Sequence, residues 1–175
     1  MTPSDLRQLR YTEHFLIWSI RTSLSCCTQC RTLMREMDRA FGPLSQAGHC
    51  GLVIFLRAMG QGKRTLRIGR PGHIELTSDE RCFLALFAAL QAGDRDRATA
   101  HARWLAGSDA VHDICLAAGV LTRLFSQRGL EFRQFEDARA AGADRASIPP
   151  DDGKVRVLPW PPHRPAEDLS LSSVF

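Results

Sequence analysis

The stretch Thr77-Ser78-Asp79-Glu80-Arg81-Cys82-Phe83-Leu84-Ala85-Leu86-Phe87-Ala88-Ala89-Leu90-Gln91-Ala92-Gly93 decides the fold class. Its first four residues match a capping box, in which a hydroxyl at the first position and a carboxylate at the fourth satisfy each other's free backbone amides where a helix begins. The apolar run through Cys82, Phe83, Leu84, Leu86, Phe87 and Leu90 follows at once, and Gly93 suits a helix end. Downstream the same grammar repeats. Asp94 is placed to cap a helix through Ala98, Ala102, Trp104 and Leu105 to Gly107. Ser108 with Asp109 opens another through Val111, Ile114, Leu116, Val120 and Leu124 to Gly129. Three helices joined by short connections pack as antiparallel neighbours in a bundle.

Upstream, no glycine or proline interrupts residues 11–41. Ile17, Ile20, Leu24, Cys27 and Met34 recur at helical spacing before Gly42-Pro43 stops the run. This is one long helix or two joined near Cys26. Residues 44–59 leave two readings open: Gly48 and Gly51 weaken a helix, while Leu52 to Leu56 is apolar on all sides and suits either a buried helix or a buried strand. Over residues 64–76, Leu66 and Ile68 alternate with polar neighbours. Arg70-Pro71-Gly72 supplies turn chemistry, and His73-Ile74-Glu75-Leu76 alternates again, which reads as a short β-hairpin or, failing that, an irregular loop. After Gly129 comes a short amphipathic piece over residues 130–140, then proline-rich sequence without apolar periodicity. The expected architecture is mainly α: a single bundle of about five to six helices over residues 1–145, with the hairpin at 64–76 and an extended tail over 146–175.

With 175 residues, 44% hydrophobic and 24% charged, the chain has the composition of one folded domain. No apolar run approaches the roughly 20 residues that cross a bilayer, and Met1-Thr2-Pro3-Ser4-Asp5 lacks the features of a secretory signal. A cytoplasmic location and no membrane partner are expected, with cysteines as thiols or metal ligands. Lys63 and Lys154 are the only lysines, the other 21 of the 23 basic residues being arginine, a bias that fits a GC-rich bacterial genome. The net charge of +4 is uneven. Residues 1–76 hold 11 basic and 5 acidic side chains, residues 77–129 are neutral, and the remainder carries −2.

Three constellations carry candidate chemistry. Arg57, Lys63, Arg64, Arg67 and Arg70 surround the expected hairpin and could track a phosphate backbone, although no aromatics interleave with them for stacking on bases. Cys27 and Cys30 have the two-residue gap of a zinc knuckle, and His49 or Cys50 could complete the set. The competing reading is core packing, since buried cysteine behaves as a small hydrophobe. In the tail, Pro159, Trp160, Pro162 and Arg164 form a PxxP string with a basic residue, which an aromatic groove of a partner can grip. The terminal 169–175 segment partly alternates and could add as a strand to a sheet edge. Gly60-Gln61-Gly62-Lys63-Arg64-Thr65 has neither the spacing nor the flanking elements of a phosphate loop, and no catalytic motif or convincing carboxylate pair occurs. The expected function is that of a small non-enzymatic helical regulator or adaptor working through another protein. The alternatives are a nucleic-acid-binding regulator using the basic first half, and a zinc-binding or thiol-switch protein. No cofactor other than zinc is suggested.

Overall fold

The computed structural model describes residues 3–25 and 30–134 together with the backbone of 155–156. The protein is mainly helical. In chain order the elements are α1 (Tyr11–Ser25), α2 (Arg31–Phe41), α3 (Ser45–Gly60), β1 (Arg67–Ile68), α4 (Ser78–Gln91), α5 (Arg95–Ala106), α6 (Val111–Gln127) and β2 (Val155–Arg156). Single 3-10 turns occur at Leu6–Gln8 and Gly42–Leu44.

The capping box at Thr77 forms as expected. The Thr77 hydroxyl accepts from the Glu80 N–H while the Glu80 carboxylate accepts from the Thr77 N–H, which fixes the start of α4. Gly93 and Gly107, read as stops, both take positive φ (77° and 81°) in the left-handed region that side chains avoid. Asp94 caps α5 by accepting the Arg97 N–H. The expected cap of α6 is corrected: Ala110, which has no capping side chain, holds that position, and Asp109, one residue ahead of it, pairs with Lys63 instead. Residues 130–134 are irregular, and the rest of the expected amphipathic piece lies outside the described residues.

The ambiguous segment is helical. In α3, a Cβ on Gly48 would sit 2.4 Å from the Phe41 ring, and one on Gly51 would sit 3.3 Å from Leu121, so these glycines allow α3 to lie close against α2 and α6. Likewise α1 and α2 are two helices, with residues 26–29 between them outside the described set.

The buried centre of the bundle is α4, whose Phe83, Leu84, Leu86 and Phe87 are all within 1% of complete burial. It packs against α5 and α6, and α6 in turn packs against α3. Edge-to-face aromatic contacts run from Phe15 and Phe41 through Phe125 to Phe87 and Phe55, with ring centroids 5.0–6.3 Å apart. Such pairs contribute about 0.5–1.5 kcal/mol each beyond the area they bury. Among the described residues, no helix is long and apolar enough to cross a membrane.

The hairpin expected at 64–76 does not form between its own two arms. Its first arm, β1, pairs antiparallel with β2, in the register Arg67↔Arg156 and Ile68↔Val155. Its second arm bonds instead to the amino-terminal segment, the Leu6 N–H donating to the Ile74 carbonyl and the Leu76 N–H to the Ser4 carbonyl. The arms are held apart by a buried guanidinium. Arg21, reaching in from α1, donates to the carbonyls of His73 and Glu75, groups that a closed hairpin would have used for itself.

Candidate functional site

Arg21 is a buried cation of α1, a helix that also buries Glu13, Thr12, Ser19, Thr22 and Ser23 among its apolar residues. It follows Ile17 by one turn, and its side chain is only 1% exposed. A guanidinium so placed must find acceptors, because an unpaired buried charge is prohibitive. Glu80, fully buried in the first turn of α4, supplies them. Arg21 Nε donates to Glu80 Oε1 at 2.6 Å and Nη2 to Glu80 Oε2 at 2.8 Å, a two-pronged pair. Glu80 also accepts the N–H groups of Gly69 and Thr77. One ion pair therefore fastens α1, α4 and the whole 69–75 connection together. Gly69 is required for the approach, since a Cβ there would stand 2.6 Å from Arg21 Nη2.

Asp79, beside Glu80 and equally buried, completes the arrangement. Its Oδ2 accepts the Arg67 N–H and its Oδ1 accepts Arg64 Nη2. Burial pushes the Asp79 carboxyl up from its ordinary range, against the opposing pull of the Arg67 amide and the Arg64 charge. Arg64 lies 3.8 Å over the Trp104 ring and donates to the Trp104 carbonyl. The Thr77 hydroxyl, besides capping α4, donates to the Arg67 carbonyl.

The consequence for β1 is geometric. The N–H and C=O of Arg67 and the N–H of Gly69 are all consumed by the first turn of α4, so one edge of the strand is closed. In a strand, alternate residues present their backbone groups to opposite edges. Ile68 thus offers its N–H and C=O on the other side, where Val155 is its partner. The Leu66 and Ile68 side chains are buried and anchor the strand, leaving Arg67 exposed. The result is a short strand clamped along one edge and available for pairing along the other. Beside its approach, between Gly60 and Leu66, opens a cavity of about 260 Å³.

The expected basic cluster is divided by this arrangement. Lys63 is paired with Asp109 at 2.6 Å, which raises the Lys63 pKa, and Arg64 is held by Asp79 and Trp104. Arg57, Arg67 and Arg70 are exposed. Of the thiol and imidazole set, Cys30 sits at the start of α2, and His49 and Cys50 lie on α3, while Cys27 is outside the described residues. Among the described residues, no three His, Cys, Asp or Glu side chains group so as to hold a metal ion. Cys82 is buried in α4, 3.7 Å from His101 Nδ1. Burial first, and the Asp79 charge second, push its thiol up to about 12, the opposite of a reactive cysteine. Pro159, Trp160, Pro162 and Arg164 lie outside the described residues.

Arg21, Asp79 and Glu80 were not singled out as site residues by sequence reasoning. Asp79 and Glu80 were visible only as helix-start chemistry, whereas Arg21 left a signal, a charge in register with the apolar positions of α1. Compared with protein-family models, with curated proteins and with solved structures, the chain finds no match.

Proposed function

We propose that the chain is a small non-enzymatic regulator or adaptor that binds another protein by taking an extended segment of it as a strand on the open edge of β1. The observation that carries this reading is the antiparallel seating of Val155–Arg156 on Arg67–Ile68, in which a segment remote in sequence already uses that edge. Strand addition draws affinity from main-chain hydrogen bonds and selectivity from the side chains between them. A strand fixed beforehand by Asp79, Thr77 and Glu80 loses little freedom on binding, which lowers the entropic cost of association. The resident strand is two residues long, so what it contributes is small enough for a partner to replace. Exposed Ile54, Leu116 and Val120 on α3 and α6 add apolar surface of the kind protein partners cover.

The test uses the full chain carrying Val155→Pro. Proline removes the N–H that position 155 donates to the ladder and so vacates the edge. Peptides selected from a random library on this variant should slow amide exchange at residues 66–68 and compete with a synthetic copy of residues 151–160. Selected peptides that protect a different surface would overturn the reading. Exposed Arg57, Arg67 and Arg70 support a second reading, nucleic-acid binding. It predicts retention on DNA or RNA at low salt that falls steeply as salt rises.

A further inference from the structure

We infer that this chain pairs with a second copy of itself through the exposed face of α6, the two helices lying antiparallel. The surface is a different one from the β1 edge, and the inference does not depend on strand capture. Along α6, Asp113, Leu116, Val120 and Arg123 follow one another at spacings of three, four and three residues. That is the spacing of a seam between two packed helices. All four side chains are exposed, Leu116 by 58% and Val120 by 37%, although apolar residues in such a row are the ones a helix normally covers. Ile54, 53% exposed on α3, adds a third large apolar side chain on a helix that packs against α6. Gly119, between Leu116 and Val120, has nothing within 4 Å of the place a Cβ would take, so no neighbouring atom shields the helix there.

The order of the four residues identifies the occupant. Read in either direction, the row runs charged, apolar, apolar, charged, and its two charges are opposite in sign. An antiparallel copy therefore matches it layer by layer: Asp113 meets Arg123 of the partner subunit, Leu116 meets Val120 of the partner subunit, and the two-fold axis repeats both contacts. Parallel helices would instead set aspartate against aspartate and arginine against arginine, and such like-charge contacts are costly. Among the described residues, neither Asp113 nor Arg123 joins an ion pair. The 17 residues of α6 make a seam about 25 Å long. A contact of that size lies near the lower end of stable interfaces, about 1,200 Å² in total, so the dimer should form at micromolar concentration.

Sedimentation equilibrium of the full chain over about 1–100 μM, a range that brackets micromolar dissociation constants, should show the average mass rising from the 19.5 kDa of one chain toward twice that value. An exposed ion pair is worth a factor of about 1.4–5, and either Asp113→Arg or Arg123→Asp turns two attractions into two repulsions, so each should raise the dimer Kd at least about fourfold. Mixing the two single variants should restore the dimer, because each then meets a partner of opposite charge, and combining both changes in one chain should do the same. Leu116→Lys should abolish association. Far-ultraviolet circular dichroism, unchanged in every variant, separates these losses from misfolding, and rescue by mixing does so again. Val155→Pro, which vacates the β1 edge, should leave the dimer in place. A chain that is monomeric throughout, self-association that the charge swaps do not weaken, or a loss that mixing does not rescue overturns the inference and leaves strand capture untouched. Dimerisation lost with Val155→Pro would assign it to exchange of β2 between copies and would overturn the inference as well.

Discussion

Replacing Arg21 by methionine isolates the group on which the β1 platform depends. Methionine fills much of the same volume but withdraws the buried counter-charge that Arg21 gives Glu80, along with the donors to the His73 and Glu75 carbonyls. Breaking a buried pair by removing one partner costs about 3–5 kcal/mol, because the remaining charge stays desolvated and unpaired. The orphaned carbonyls act in the same direction but share the relaxation, so about 4 kcal/mol is the expected loss. That is a large share of the roughly 5–15 kcal/mol by which domains are stable. With a urea slope of about 2 kcal/mol per molar, the unfolding midpoint followed by circular dichroism should fall by about 2 M. Glu80→Gln keeps an acceptor for the helix-start amides, since glutamine also completes a capping box, but it removes the charge. Added to Arg21→Met, it should recover stability, giving a coupling energy of more than about 1 kcal/mol in the double-mutant cycle. If Arg21→Met alone costs less than about 1 kcal/mol, or the two changes simply add, the pair is not the dry, shared clamp described above.

Three further outcomes follow from the same geometry. Gly69→Ala places a methyl group 2.6 Å from a guanidinium that Glu80 and two carbonyls prevent from retreating, so it should destabilise by about 1–3 kcal/mol in urea titration; a neutral result would mean Arg21 is free to move. Burial raises the Glu13 carboxyl, but hydrogen bonds from the Arg133 guanidinium and from the Arg10 and Arg133 amides outweigh this and hold it below the usual carboxylate range. A lowered folded-state pKa stabilises above the unfolded value, near 4.5, and is lost as pH falls through the folded value. Glu13→Gln should therefore flatten the acid limb of the stability profile below about pH 5, and an unaltered limb would contradict the assignment. Finally, alkylation of the native protein at neutral pH should label exposed Cys50 and spare Cys82, whose thiol is pushed up to about 12; equal labelling rates would refute the burial argument.

What could be read from the sequence was whatever local chemistry decides. The Thr77–Glu80 capping box, the Asp94 cap and the stops at Gly93 and Gly107 each involve residues within one turn of each other, and each formed as expected. The misreadings share a different cause. Gly48 and Gly51 looked like helix weakeners because the Phe41 ring and Leu121, which make them necessary, are brought there only by tertiary packing. Lys63 and Arg64 looked like free cations because Asp109 and Asp79 are distant in sequence. The alternation over 64–76 was a genuine strand signal whose partners could not be read, because Arg21 of α1 comes between the two arms and sends each to a different part of the chain.

The use of an ion pair where leucines would have packed also bears on the site. A buried pair gives little net stability compared with apolar residues of the same volume. Its distinguishing property is direction: a carboxylate and a guanidinium accept few geometries, and here those geometries fix the backbone of residues 69–75 and, through Asp79 and Thr77, the closed edge of β1. An exposed strand edge is otherwise a hazard, since any extended chain can pair with it. In this chain the two-residue pairing of Val155–Arg156 covers that edge. Clamp and cover are thus complementary. Under the proposed strand capture the first holds the edge in one geometry, so loosening the clamp through Arg21→Met should weaken the binding of peptides selected on the Val155→Pro chain, and unchanged affinity would count against the clamp's part in binding.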